Sequence, residues 1–230
     1  MSLQVLGDPW NPVTGCSKIS PGCRGCYAEV FAARLQGMGN PRYANGFQLT
    51  LHPDLLDIPK RRKTPTAYFV NSMSDLFHKN VPLDFIRKVF DVMNNCPQHT
   101  FQILTKRSDL LAKHAPHLKW ADNIWQGVSV ENQDYVYRID DLRKVPAKVR
   151  FIYFEPLVGP VTNLNLDGIH WAVVGGESGP TWRPIDIVWL REIRDACVAQ
   201  GVKFFFKQWA ALRPENLGRM LDGREWSEMP

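Results

Sequence analysis

Residues 67–105 read AYFVNSMSDLFHKNVPLDFIRKVFDVMNNCPQHTFQILT. Ala67–Asn71 and Thr100–Leu104 are nearly continuous runs of apolar, β-branched and aromatic residues, the pattern of parallel strands covered on both faces. Between them, Pro82–Asn95 puts Leu83, Ile86, Val89, Phe90 and Met93 on one helical face, and Pro82 suits a first turn. Strand, helix, strand is the unit of a parallel α/β fold. The unit recurs. Further strands are predicted at Ile124–Val128, Val149–Phe154, Trp171–Val174 and Val202–Phe206. Helices are predicted at Ser108–His114, Asn132–Arg143 and Ile187–Gln200, the last capped by Asp186 and ended by Gly201. Tyr27–Leu35 is also helical in pattern, with Tyr27, Val30, Phe31 and Leu35 as its apolar residues.

The chain has 230 residues, whereas a closed eight-unit barrel takes about 250. Six strands, or seven with one near the N-terminus, predict an α/β protein built as a partial or irregular parallel (β/α) barrel. A doubly wound open sheet is the alternative. Residues 1–230 are read as a single domain, with 36–66 as a surface excursion carrying Lys60-Arg61-Arg62-Lys63. Leu221–Trp226 reads as a hairpin or a cover over the barrel. A content of 44% apolar and 22% charged residues excludes general disorder. No run of 18 apolar residues is present, so no membrane span is expected. The N-terminus lacks the basic-then-apolar order of a secretory leader, so no leader is expected and, with an odd cysteine count, a reducing cytoplasm is the expected location. The 28 Lys+Arg against 23 Asp+Glu give a net charge of +5, which permits an anionic partner without requiring one.

Each predicted strand ends in polar residues. The groups are Ser72-Met73-Ser74-Asp75, Thr105-Lys106-Arg107, Ser129-Val130-Glu131-Asn132, Glu155-Pro156, Gly175-Gly176-Glu177-Ser178 and Lys207-Gln208-Trp209. In a parallel barrel these positions gather at the C-terminal rim, where active sites lie. Polar residues at one strand end are ordinary caps, but six groups at one rim favour a site. Glu155, Glu177 and Lys207 follow buried-looking strands, where a charge needs a partner or a ligand. Gly175-Gly176 allows close approach of backbone N–H groups to a ligand. His78, just past the first group, is the best-placed histidine for a rim proton carrier.

Of five cysteines, Cys16, Cys23 and Cys26 lie within a Gly/Pro-rich loop, spaced Cys-x6-Cys-x2-Cys, while Cys96 and Cys197 sit on apolar helical patterns and read as core. An odd count without a leader argues against a disulfide framework. No histidine or further cysteine lies close enough in sequence to complete a zinc set. Three thiolates suit a four-iron, four-sulfur (4Fe-4S) cluster with one iron open to a small-molecule chelate. Zinc and incidental thiols are the alternatives.

The blocks WNPVTGC (10–16), ISPGC (19–23), CYAE (26–29), FVNSMSDLFH (69–78), TFQILTKR (100–107), GVSVEN (127–132), VGGESGP (174–180), FFKQW (205–209) and LDGREW (221–226) resemble a phage- and bacteria-encoded family of uncharacterised proteins with a three-cysteine motif. More distantly the chain resembles radical S-adenosylmethionine (SAM) enzymes, in a way similar to spore photoproduct lyase. The resemblance covers nearly the whole chain. It implies a radical-SAM-like partial barrel whose N-terminal loop, 10–27, carries the cluster and which cleaves SAM reductively. The first cysteine gap is three residues longer than the Cys-x3-Cys-x2-Cys of that superfamily.

On that reading Cys16, Cys23 and Cys26 are the metal ligands and Tyr27 lines the adenine pocket. Asn71, Ser72, Ser74 and Asp75 bind the SAM amino group. Thr105, Lys106, Ser129 and Glu131 hold the ribose and carboxylate. Glu155, Glu177 and Lys207 face the substrate, and an electron donor is required. A second hypothesis is a nucleic-acid binding or repair protein, with residues 60–63, Arg42, Lys106 and Arg107 on phosphates and some of the eight tryptophans stacking on bases. A third is a non-catalytic zinc or iron-sulfur scaffold of phage origin.

Overall fold

The structure, a computed structural model, describes residues 7–230; the reading of residues 1–6 as free of a leader lies outside them. β1 (Asp8–Trp10) and β2 (Val13–Thr14) lead into the cysteine loop, and α1 (Tyr27–Gly37) follows it. The 36–66 segment carries β3 (Thr50–Leu51), which pairs antiparallel with β2, and the short α2 (Ile58–Arg61). Then come β4 (Ala67–Val70), α3 (Leu83–Asn94), β5 (Thr100–Thr105), α4 (Ser108–His114), β6 (Ile124–Ser129), α5 (Tyr137–Arg143), β7 (Arg150–Phe154), β8 (Trp171–Gly175), α6 (Ile187–Ala199) and β9 (Lys203–Gln208). A hairpin of β10 (Met220–Leu221) and β11 (Arg224–Glu225) ends the chain.

Seven strands form one all-parallel sheet in the order β1-β4-β5-β6-β7-β8-β9, curled into a half-barrel. The predicted partial barrel is the observed fold, and β1 is the additional N-terminal strand. The order follows the chain, so successive units add to one edge without a reversal, unlike a doubly wound sheet. The two faces differ in content. Ile152, Phe154, Ala172, Val174, Phe204 and Phe206 belong to the large core shared with the helices. Phe151, Tyr153, Trp171, Val173 and Phe205 form a separate aromatic cluster on the concave face. Strand alternation thus divides each strand between two cores. Gly127 makes the concave packing feasible, because a Cβ there would lie 2.1 Å from the Phe151 ring. At the β9 edge, Phe206 N–H donates to Trp226 O and Glu228 N–H to Phe204 O, so the C-terminal segment pairs an otherwise open edge.

The predicted helices α3, α4 and α6 form. The 132–143 segment divides into a 3₁₀ turn, Gln133–Tyr135, and α5. Asp186 Oδ1 accepts from Val188 N at 2.9 Å, capping α6, and Gly201 has φ 69°. Leu221–Trp226 is the hairpin, turning through Asp222 and Gly223, both at positive φ. Cys96 and Cys197 are buried in the core. The apolar face expected for α1 differs. The helix buries Ala28 and Ala32, while Tyr27, Val30 and Phe31 are 57%, 67% and 47% exposed. Small residues at i and i+4 let α1 approach Tyr43 and Met73 closely, which turns the larger side chains outward. Among the described residues, no helix is long and apolar enough to cross a membrane.

Candidate metal centre

The cysteine loop lies on the C-terminal rim of the sheet, and the turn after β4 seats its first half. Asn71 adopts φ 60° and accepts at Oδ1 from Val13 N at 3.2 Å. Ser74 Oγ donates to Val13 O at 2.8 Å, Gly15 N–H donates to Met73 O at 3.0 Å, and Ser72 Oγ donates to Asn11 Oδ1 at 3.2 Å. Gly15, at φ 78°, lies against the Gln48 carbonyl, where a Cβ would come within 2.2 Å. A side chain there would lift the loop.

Three carboxylate–guanidinium pairs then grip the loop from the ends of β4 and β5, of β6 and of β8. In the first, Asp75 accepts from Thr105 Oγ1 at 2.7 Å, Phe77 N at 3.0 Å, Lys106 N at 3.2 Å and Arg107 Nη1 at 3.1 Å. Arg107 Nη2 donates to Ser17 O at 2.9 Å and Ser17 Oγ at 3.0 Å, and Nη1 lies 3.5 Å from Cys16 Sγ. His78 completes this corner. Its Nδ1 accepts from Asn80 N at 3.2 Å, which leaves Nε2 to carry the proton and donate to Ser17 Oγ at 2.8 Å. Burial and the nearby Arg107 charge hold the imidazole below its ordinary pKa.

In the second pair, fully buried Glu131 accepts from Arg138 Nη1 at 2.8 Å and from Ser20 Oγ at 2.5 Å. Its side chain lies against Gly22, where a Cβ would come within 2.6 Å. Arg138 also donates to Ser129 O at 2.7 Å and stacks on Tyr135. In the third, Glu177 accepts from Arg183 N, Nε and Nη2, and Arg183 Nη2 donates to Pro21 O at 2.9 Å. Burial opposes the Glu177 charge, but the Arg183 hydrogen bonds and charge win and hold the carboxyl below its ordinary pKa. The grips fall on Ser17, Ser20 and Pro21, between the first and second cysteines.

The three thiols are free and half-buried. Burial raises the Cys16 pKa. At Cys23 burial acts the same way, but the Lys106 charge and hydrogen bonds around Ile19 and Ser20 outweigh it and favour the thiolate. Cys26 occupies the N-cap position of α1. Among the described residues, no three His, Cys, Asp or Glu side chains form a group arranged around a single ion.

Beyond the loop, the ends of β7 and β9 carry a fourth pair. Lys207 Nζ and Glu155 Oε1 are 2.5 Å apart and largely shielded. Gly175 leaves room for the Glu155 carboxylate, which lies 3.3 Å from where a Cβ would stand. The Tyr153 hydroxyl is buried without a protein partner, and burial and the Glu155 charge raise its pKa. Tyr27 OH donates to Ser72 O at 2.6 Å.

Most predicted site residues therefore meet at one rim, in two groups. Asn71, Ser72, Ser74, Asp75, Thr105, Glu131 and Glu177 spend their polar atoms on the loop or its grips. Lys106, Glu155 and Lys207 stand at the same strand ends with no hydrogen bond from their side chains to the loop, while Ser129 and Gly175 are buried, the Ser129 carbonyl accepting from Arg138. Gly176 serves the chain itself, because a Cβ there would meet the Ala210 backbone at 2.4 Å. Arg107 is buried in its ion pair, so it does not present the phosphate contact expected of it. Arg138, Arg183, Ser17 and Ser20 were not foreseen. The usable signal was an arginine six or seven residues after a strand-end glutamate, at Glu177/Arg183 and Glu131/Arg138.

Comparison with curated proteins gives no match. Among solved structures, spore photoproduct lyase with dinucleoside spore photoproduct is similar at 16% identity over 71% of this chain and 54% of that one, with TM-score 0.43. A singly substituted form gives 12% identity, 86% and 75% coverage and TM-score 0.47. A doubly substituted form with bound AdoMet and dinucleoside spore photoproduct gives 15%, 64%, 45% and 0.39. The chain spans about half the length of the first of these. The family described as "Protein of unknown function (DUF5131)" matches residues 3–230, and the chain belongs to that family.

Proposed function

We propose that this chain is a radical SAM-type enzyme whose 4Fe-4S cluster is held by Cys16, Cys23 and Cys26. The observation that carries the reading is the grip of three ion pairs on a three-cysteine loop at the C-terminal rim of a parallel half-barrel. Fixing one irregular loop from several strand ends is what a centre needs if its ligands are to keep their places. The donor set fits the group. Three soft thiols on one loop suit iron, and the Lys106 charge favours the thiolate at Cys23. When bound, such a cluster supplies one electron for reductive cleavage of SAM chelated at its open iron.

The chain's own residues then divide the work. Lys106, whose charge reaches Cys23, suits the SAM carboxylate, together with the unpartnered buried Nδ2 of Asn71. Tyr27, tied to Ser72, offers a ring beside the last ligand for the adenine. Glu155 Oε1 and Lys207 Nζ, 2.5 Å apart, bind a polar substrate group or exchange a proton with it. Glu177 acts through Arg183 and Pro21 as a positioning residue. The test is anaerobic reconstitution with iron and sulfide, followed by dithionite and SAM. Broad visible absorption and release of 5′-deoxyadenosine are expected, both lost in Cys16→Ala, Cys23→Ala and Cys26→Ala. A colourless zinc-bearing protein, or a cluster that leaves SAM intact, would overturn the reading.

A further inference from the structure

We infer that the outward face of α1 docks a small acidic one-electron carrier protein, which reduces the centre carried by the cysteine loop; the role, though not the docking itself, rests on the reading above. Val30, Phe31, Arg34 and Met38 recur at helical spacing and form one stripe. Val30, Phe31 and Met38 are 67%, 47% and 69% exposed. A helix buried only through Ala28 and Ala32 thus carries its large apolar residues on the solvent side, the reverse of an ordinary amphipathic helix. Such a face marks an interaction site.

Position and charge identify the occupant. The stripe starts at Val30, one helical turn after the proposed ligand Cys26, whose carbonyl accepts from Val30 N, so a protein seated on it lies beside the centre. Between residues 15 and 47 the charged residues are Lys18, Arg24, Arg34, Arg42 and a single acid, Glu29, and Glu29 is paired with Lys18 at 2.8 Å. An apolar stripe within a basic surround complements an apolar patch within an acidic one. Electron-transfer encounters use small interfaces, and one three-turn helix face is adequate for that. Aliphatic Val30 and Met38 are poorly suited to stacking on bases, which favours a protein over a nucleic-acid strand. In the transfer the carrier is oxidised by one electron and the centre reduced by one; no bond changes and no proton moves.

The test uses the reconstituted full chain and a reduced plant-type ferredoxin as the acidic probe. Val30→Glu and Phe31→Glu should each weaken binding at least tenfold. Carrier-driven SAM cleavage should fall in parallel, while dithionite-driven cleavage and Tm stay unchanged. Binding of the unsubstituted protein should weaken with salt. Absence of ferredoxin binding, or equal binding by both variants, overturns the inference. A concentration-dependent dimer lost in Val30→Glu assigns the face to a second copy, and single-stranded DNA retention lost in that variant assigns it to nucleic acid. Either result overturns it too. If dithionite gives no cleavage in the unsubstituted protein, the enzymatic reading fails, while the binding measurement still decides the docking.

Discussion

Four hydrogen-bonded acid–base pairs stand on the rim of this half-barrel, and they divide into two regions; Lys106 Nζ lies 4.0 Å from Glu131 Oε1, outside hydrogen-bond distance. Asp75–Arg107, Glu131–Arg138 and Glu177–Arg183 are arginine pairs, and each extends to the cysteine loop. Glu155–Lys207 is the lysine pair and stands at the ends of β7 and β9. Arginine offers several donors in a fixed fork, so Arg107 and Arg183 bind their carboxylates and still reach a loop carbonyl, while Arg138 binds Glu131 and the Ser129 carbonyl and leaves Glu131 to hold Ser20. Lysine carries a compact charge that is readily exchanged, which suits contact with a ligand. The same strand-end position thus serves architecture on one side and chemistry on the other, and the partner residue tells them apart.

That division is open to direct attack. Arg138→Met strands the fully buried Glu131 charge, and Arg107→Met does the same to Asp75. Each should cost about 3–5 kcal/mol of stability and prevent cluster uptake, measured by urea unfolding and iron content. Pairing each with its neutral acid partner, Glu131→Gln or Asp75→Asn, should recover part of the stability. Full stability and iron content in the single variants would remove the loop-gripping role. Gly22→Ala is the next largest. Its Cβ would press on a Glu131 side chain already fixed by Arg138 and Ser20, so a loss of about 1–3 kcal/mol is expected, with lowered iron uptake.

Strands and helices were legible in the sequence because their periodicities are local. The rim was legible as well, since topology sends every parallel strand end to one side. The grips were not. Asp75 and Arg107 lie on different strand ends, and nothing local says that Arg107 turns inward to Ser17 instead of outward to a phosphate. For α1, Tyr27, Val30, Phe31 and Leu35 gave a helical apolar face, yet only Leu35 of these packs against the Tyr43 and Met73 cluster, where Ala28 and Ala32 make the close contact. Gly176 illustrates the same limit. A glycine needed for close approach looks alike whether its neighbour is a ligand or, as here, the Ala210 backbone.

The third grip is more exposed, with Arg183 at 23%, and its effect should be smaller and pH-dependent. Arg183 holds the Glu177 carboxyl below its ordinary pKa. Its contribution is therefore present above the unfolded value of about 4.3 and is lost as pH falls through the lower folded value. Arg183→Gln should lower stability by about 1 kcal/mol at neutral pH. The gap to the unsubstituted protein should close during acid titration below that range, followed by thermal melts. A gap independent of pH would mean that Arg183 acts through Pro21 alone.

The lysine pair should give the smallest stability change and the sharpest separation. Glu155 and Lys207 bond to each other, not to the loop. Neutralising both, as Glu155→Gln with Lys207→Met, removes two charges together and leaves neither stranded, so stability should change by no more than about 1 kcal/mol. Cluster content and dithionite-driven SAM cleavage should be retained, because no cysteine, loop carbonyl or grip is touched. Consumption of the true substrate should fall by at least about 100-fold if the pair exchanges its proton. Measuring iron content, 5′-deoxyadenosine and substrate loss on the same preparation separates the regions. A variant that loses its iron would make Glu155–Lys207 a fourth grip, and the distinction between arginine and lysine pairs would collapse.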